Sequence, residues 1–472
     1  MRSKHTTPDP QDLPMNTLKR SISLKQAIIY GVGIILGAGI YALIGEAAGI
    51  ASYNVWLAFV VAAIIASFTA LSYAELSAIF PKSAAEFVYV QETTKSKSWA
   101  FFVGYLTIVT GVISVAAVAL GFASYFKFFF PINPIIIAVA VIAILSLINF
   151  RGIEESAKLN TIFTLIEAAG LVFIIIIGAS FLGSAPLLVI PIEGALSSAF
   201  LGPIFGAAAL IFFAYLGFED IANIAEETKE PKKTIPKALI VSLIVTTIIY
   251  VLVAMVAVSV VSPTLLAESS SSLIQTEGPL ALVASTALNN PMGGLIFTFI
   301  ALFATANTIL VLLIVSSRMM YGMARAGSLP KQIAKINKKT CTPVLAVALV
   351  GIISILFTLN GSIGDVANLT NLGVFLIFFA VNIALLIHRY KNRKIKTKLS
   401  GFKVPLNISW VPILPLLGTI FCLAMFLTQF WNPINILGLQ VPIIIVGLIV
   451  FFTSFPVFWL FNKNKKAFDK EF

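Results

Sequence analysis

The chain has 472 residues, of which 32 are Lys or Arg and 20 are Asp or Glu, so charged side chains make up 11%, where a soluble domain carries roughly 25%. Hydrophobic residues reach 59% and mean hydropathy is +1.00, more apolar surface than a water-soluble fold of this length can hide, which excludes an ordinary soluble enzyme. The net charge of +12 falls in short clusters between long apolar runs and reads as membrane orientation, with no nucleic-acid partner.

In chain order, the first 23 residues are polar, with Lys4, Lys19 and Arg20. They lack the short apolar stretch and small-residue cleavage site of a signal peptide, so the first apolar run is expected to be retained. A window of about 19 residues then predicts about twelve spans. They lie at 24–49, 54–80, 99–126, 134–150, 157–182, 203–225, 236–261, 292–317, 343–359, 366–388, 411–430 and 441–461. The runs are continuous Ile, Leu, Val, Ala and Phe, not ten-residue alternating strands, which favours helices over a barrel. The expected fold class is an all-α polytopic membrane protein.

Lys and Arg sort by connection. The N-terminus, the connections after even-numbered spans and the C-terminus hold 31 of the 32, and the opposite side holds only Lys127. Cytoplasmic segments carry the excess of bases. Both tails, 1–23 and 462–472, are therefore expected in the cytoplasm of a multi-pass cell-membrane protein, with outer loop 262–291 carrying Glu268 and Glu277 but no base. Cys341 and Cys422 form no disulfide framework. His5 and His388 lie outside the apolar cores, so no metal site is expected.

Span 1 carries Gly31, Gly33, Gly37, Gly39 and Gly45. Glycine weakens a helix and lets a backbone or ligand approach closely. Close helix packing explains such residues in isolation, and a nucleotide-binding reading of Gly31-x-Gly33 fails because no strand precedes it. Span 6 reads Phe212-Phe213-Ala214-Tyr215-Leu216-Gly217-Phe218-Glu219-Asp220, a helix breaker and two adjacent carboxylates inside an apolar segment. Burying such acids costs several kcal/mol unless they are paired, protonated or hydrated. Spans 1 and 6 are five apart and cross in opposite directions, and paired interruptions in opposed halves point to an inverted-repeat secondary transporter. Residues 24–182 and 203–390 are the expected repeats, with 411–461 appended.

The broken ends suggest the ligand. The second half of span 1 begins around Ala38-Gly39-Ile40, offering backbone N–H groups and a positive dipole end to a carboxylate. The first half of span 6 ends near Phe213-Ala214-Tyr215, leaving carbonyl oxygens for an ammonium group. Together they make a receptor for α-amino acids, a small-molecule partner beside the membrane lipid.

Several strings match a known family. They are Gly37-Ala38-Gly39-Ile40, Leu71-Ser-Tyr-Ala-Glu75-Leu with Phe80-Pro81-Lys82, Phe213-Ala-Tyr-Leu-Gly-Phe-Glu219, Ala225-Glu226-Glu227-Thr-Lys-Glu-Pro231, and Ser317-Arg318 with Ala324-Arg325-Ala-Gly327-Ser-Leu-Pro330. In this order and spacing the chain resembles the amino acid–polyamine–organocation (APC) transporters over nearly its whole length. The resemblance implies a leucine-transporter-type 5+5 inverted repeat plus two C-terminal helices, alternating access, no covalent chemistry and no cofactor. It also implies substrate contact by Gly37–Gly39 and by Ala214–Gly217. With the reading of the broken ends, the candidate substrate residues are Ile34, Gly37, Ala38, Gly39, Ile40, Phe213, Ala214, Tyr215, Gly217 and Phe218. Phe213 or Tyr215 is the expected gate.

Two carboxylates are candidates for proton coupling. Glu167 lies eleven residues beyond Ser156, about 16 Å along span 5 and near the bilayer centre. Some proton-coupled relatives carry a lysine there, so the resemblance carries over position and not residue type; a structural hydrogen-bonded acid is the competing role. Glu219 follows the span 6 break, where relatives that exchange cationic substrates also carry glutamate. It can titrate, bind a substrate side chain or lock the broken helix. Asp220, Glu226 and Glu227 are expected to reach the cytoplasmic funnel, compensated by Lys229, Lys232 and Lys233; Glu75 is expected to be structural, and Glu46 has no assignment. Sodium remains an alternative ion, through Ser316, Ser317 and Glu167. The expected activity is proton-coupled uptake of neutral amino acids. The alternatives are a cationic amino acid or polyamine antiporter, and a non-transporting receptor on the same scaffold.

Overall fold

A computed structural model describes residues 20–459 apart from 131, 272–277, 359–362, 394–400, 430–432, 437–438, 443, 446, 450 and 457–458. Most of both tails, His5 and Glu277 therefore lie outside the described residues.

Among the described residues the helices up to Gln429 follow in order: α1 Leu24–Ala51, α2 Val55–Ile79, α3 Ala85–Thr94, α4 Lys97–Phe129, α5 Pro134–Arg151, α6 Ile153–Gly178, α7 Ser198–Ile211, α8 Asp220–Asn223, α9 Pro231–Val260, α10 Pro263–Ser271, α11 Pro279–Leu288, α12 Met292–Arg325, α13 Val344–Thr358, α14 Ile363–Lys391 and α15 Ile413–Gln429. Short polar caps set their starts: Ser23 and Gln26 form a capping box on α1, Ser96 caps α4 and Ser197 caps α7. Each satisfies backbone N–H groups that the first turn leaves without a helical partner. Pro231 and Pro279 open α9 and α11, where the missing N–H costs nothing.

Among the described residues, nine stretches are long and apolar enough to cross a membrane. Spans 9, 11 and 12 fall instead on the shorter apolar helices Val344–Thr358, Ile413–Leu427 and Gly447–Pro456. A helix of 15 residues, the length of α13, covers about 23 Å of a hydrocarbon core of about 30 Å. Three departures from the sequence expectation stand out. The region expected as outer loop 262–291 folds into α10 and α11, and the connection after span 2 contains α3. The strand pair Pro433–Ile436 and Leu439–Pro442 fills the connection between spans 11 and 12 and runs into the first two residues of span 12.

The core is centred on α1, which packs against α6, α7, α9 and α12, while α14 lies against α3, α4 and α15. Helix α1 is interrupted at Gly37 (φ 3°, ψ −163°). After α7 the chain makes one tight 3₁₀ turn at Phe212–Tyr215, then unwinds before the one-turn α8. Gly217 has φ 111°, a conformation that side-chain-bearing residues rarely adopt. Both expected interruptions are present.

Candidate functional site

The two interruptions meet. A Cβ built on Gly39 would lie 2.6 Å from the Cα of Ala214, so only glycine lets the two broken segments touch. Around this crossing is a cavity of about 120 Å³. Ile34, Ile35, Gly37 and Gly39 of α1 face it, as do Phe213, Ala214, Leu216 and Gly217. Hydroxyls of Thr107, Thr110 and Ser114 on α4, Thr308 and Ser316 on α12 and Thr370 on α14 complete one side, with Leu312, Val315, Val374, Ile377 and Phe378 as apolar wall. The Ser316 hydroxyl is buried and makes no hydrogen bond.

Six of the ten candidate substrate residues line this cavity: Ile34, Gly37, Gly39, Phe213, Ala214 and Gly217. The side chain of Ala38 lies outside the described residues. Ile40, Tyr215 and Phe218 are fully buried elsewhere. Tyr215 donates from its hydroxyl to the Phe59 carbonyl at 3.0 Å, and its ring stands edge-on to Tyr250 at 5.4 Å. Phe218 packs between Tyr73 and Phe378. Of the two gate candidates, only Phe213 faces the cavity.

Sequence reasoning missed Tyr250. From α9 its hydroxyl reaches the carbonyls of Ile35 and Leu36, at the end of the first half of α1, and that of Ala214, at 3.1 Å. One side chain thus sits behind both interruptions. Its one O–H hydrogen is shared between the Ala214 carbonyl and those of Ile35 and Leu36, while Phe213 O accepts from Leu216 N. A carbonyl has two lone pairs, so each can still accept from an ammonium group. The only sequence signal was a single Tyr in a run of Ile, Val, Leu and Ala.

The carboxylates divide into two groups. Glu75 takes a two-pronged contact from Arg389 at 2.6 and 2.7 Å and a third bond from Val404 N. Glu227 pairs with Arg318 at 3.0 Å, both fully buried, and Glu226 pairs with Arg325 at 2.6 Å. Burial pushes the Glu227 carboxyl above its ordinary value while the Arg318 guanidinium pulls it down. The expected compensation by Lys229, Lys232 and Lys233 does not occur: all three are exposed, and Lys233 pairs with Glu230. The compensating bases come from α12, because arginine's fixed fork satisfies a buried carboxylate that a hydrated lysine does not.

The second group has no ion pair among the described residues. Glu219 accepts from Gly217 N at 2.9 Å, a bond that locks the unwound turn. Asp220, expected at the cytoplasmic funnel, instead lines the same cavity with Glu219 and Glu86. Glu86, on α3, was not anticipated. It accepts from the Tyr73 hydroxyl at 3.0 Å and from Asn223 Nδ2 at 3.1 Å, and burial pushes its carboxyl up. Glu167 on α6 is fully buried and neither carboxylate oxygen has a hydrogen-bond partner. It stands outside this cavity, beside Tyr41, whose hydroxyl reaches its backbone carbonyl. Nothing joins it to Ser316 or Ser317: Ser317 donates to Ile314 O in its own helix. Glu46 is exposed in the second half of α1.

The family model described as amino acid permease matches residues 22–454. The branched-chain amino acid permease BcaP of Bacillus subtilis is 30% identical over 460 residues, covering 92% of this chain and 93% of that protein. The methylthioribose transporter of the same organism is 27% identical, covering 95% and 96%. Cationic amino acid transporter 1 of Arabidopsis thaliana is 29% identical, covering 79% of this chain and 63% of that one. The chain belongs to the amino acid permeases of the APC superfamily: a multi-pass membrane transporter of amino acids, and not an enzyme.

Proposed function

We propose that the chain carries neutral amino acids into the cell by proton-coupled alternating access, with both termini in the cytoplasm. One observation carries this reading: the interruptions of α1 and of the α7–α8 segment touch at Gly39 and Ala214 and face one cavity. There the substrate carboxylate meets the free N–H groups that begin the second half of α1, and the ammonium meets the carbonyls at the end of the 3₁₀ turn. The side chain then lies against Ile34, Leu312, Val315 and Ile377, which favours apolar groups. Most of the lining is apolar, and BcaP, similar to this chain, is named for branched-chain amino acids. Glu167 and Glu219 are the proposed proton carriers, since buried carboxylates without a cationic partner hold a proton at little cost. Orientation rests on the one-sided distribution of bases.

A second reading has its own support. Glu86, Glu219 and Asp220 at one end of the cavity suit a second positive charge, so a cationic amino acid or polyamine is the competing substrate. Purified protein in proteoliposomes decides between them. The first reading expects labelled leucine to accumulate when the lumen is alkaline, with no response to a sodium gradient. Arginine or putrescine exchange, with leucine inert, would establish the second. Binding without counterflow of any amino acid would contradict both and indicate a receptor.

A further inference from the structure

Glu167 ends a polar stripe on α6. Ser156, Asn160, Thr164 and Glu167 are buried at successive turns of one face, and the next residues on it, Leu171 and Ile174, are buried and apolar. Facing the stripe is Asn307 of α12, fully buried between Thr305 and Thr308. Its amide oxygen accepts from Asn160 Nδ2 at 2.7 Å. Its amide nitrogen donates to Thr164 Oγ1 at 3.1 Å and to the Gly33 carbonyl of α1 at 3.4 Å. A side chain on Gly33 would collide with Thr164 Oγ1, so α1 approaches this closely only because residue 33 is glycine.

An amide nitrogen carries two hydrogens, and Asn307 commits both. Glu167, one turn beyond Thr164, has no hydrogen-bond partner, with the Asn307 amide beside it. The titratable groups facing it are Tyr41 of α1 and Tyr250 of α9. Helix α11 contributes none, α5 only the exposed Arg151 at its end, and α12 only Tyr321 and the paired Arg318 and Arg325 near its C-terminal end. On α6 itself Glu155 and Lys158 are exposed. A neutral carboxylic acid is what such surroundings accommodate.

We propose that Asn307 is a positioning residue that links the charge of Glu167 to the place of the first half of α1. While Gly33 O is in reach, the amide is held and the carboxyl keeps its proton. When residues 24–36 move away, as alternating access requires of the segment before the break, the freed N–H turns to the carboxylate and stabilises its ionised form. The proton leaves Glu167 for water on the side that opens, and no other bond changes. This rests on the reading of Glu167 as a proton carrier and adds the device that couples it to the backbone.

The test is an infrared pH titration of the full-length protein in lipid, following the carboxyl C=O band that Glu167→Gln removes. Asn307→Leu, which keeps size and deletes the amide, is expected to move the midpoint upward by about one pH unit, a tenfold change in proton affinity. The pH profile of uptake should shift with it. Asn307→Ala and Asn307→Ser carry the same expectation if the leucine variant does not fold. A midpoint unmoved in folded variants, or an uptake profile that shifts equally in a Glu167→Gln background, overturns the proposal. A band that shifts while wild-type uptake ignores pH would sink proton coupling alone and leave the positioning role standing.

Discussion

The basic end of the molecule and its middle treat carboxylates in opposite ways. At the basic end Glu75, Glu226 and Glu227 each meet an arginine from a distant helix, and the backbone of Ser21 and Ile22 adds bonds to the Glu227 carbonyl. Around the interruptions Glu86, Glu167 and Asp220 are buried and Glu219 is half-buried, yet no base reaches them among the described residues. A paired buried charge fixes one arrangement of helices, since removing either partner strands the other. An unpaired carboxyl can gain and lose a proton as its neighbours move. The contrast separates groups that hold the helices together from groups available for coupling.

Removing a partner from the first group should produce the largest effect. Arg318→Ala leaves Glu227 charged and fully enclosed, and a loss of about 3–5 kcal/mol is expected, read as a collapse of the thermal melt in detergent. Glu75→Gln strands Arg389, which retains slight solvent contact, so a smaller loss of about 2–3 kcal/mol is expected. If either variant melted like wild type, the division into holding and coupling groups would break. Tyr250→Phe probes the junction between the two regions. Deleting the hydroxyl behind both interruptions should weaken apparent substrate affinity roughly tenfold, about 1.4 kcal/mol, in equilibrium binding, with the melt little changed.

The smallest effect sharpens the contrast through pH. The folded Glu86 carboxyl titrates above its ordinary value of 4.5 because burial disfavours its charge, so the folded chain binds more protons than the unfolded one in that interval. The Glu86 contribution to stability should therefore be fully present below about 4.5 and be lost as pH rises through the raised value. Glu86→Gln should remove that part of the decline and leave the slope from other groups. An unaltered slope would mean that Glu86 finds a compensating charge in solution.

What could be read from the sequence followed from how local each signal was. The interruptions at Gly37 and Phe213–Gly217 announced themselves by glycine and carboxylate inside apolar runs, and both are where the sequence placed them. Partners were not legible. Glu227 was matched to lysines a few residues away, whereas Arg318 is 91 positions distant, and nothing in a linear reading ranks it first. Helices α10 and α11 hid because, at 9 and 10 residues, each is too short to register as a span. Tyr215 shares the 3₁₀ turn of Phe213 but points away from the cavity, since the turn rotates successive side chains by about 120°, and Phe218 follows the unwound Gly217 and packs against Tyr73 and Phe378. Asn307 and Tyr250 carried only the signal of a polar group inside a long hydrophobic span, Asn307 with Thr305 and Thr308 beside it, which says that a partner exists and not which one.

The central claim is that the unpaired carboxylates carry the coupling proton. Its most direct test is accumulation of labelled leucine in proteoliposomes with an alkaline lumen, comparing wild type with Glu167→Gln and Glu219→Gln. Wild type should concentrate leucine above equilibrium, whereas at least one variant should only equilibrate it while retaining leucine exchange. Full accumulation by both variants would contradict the account.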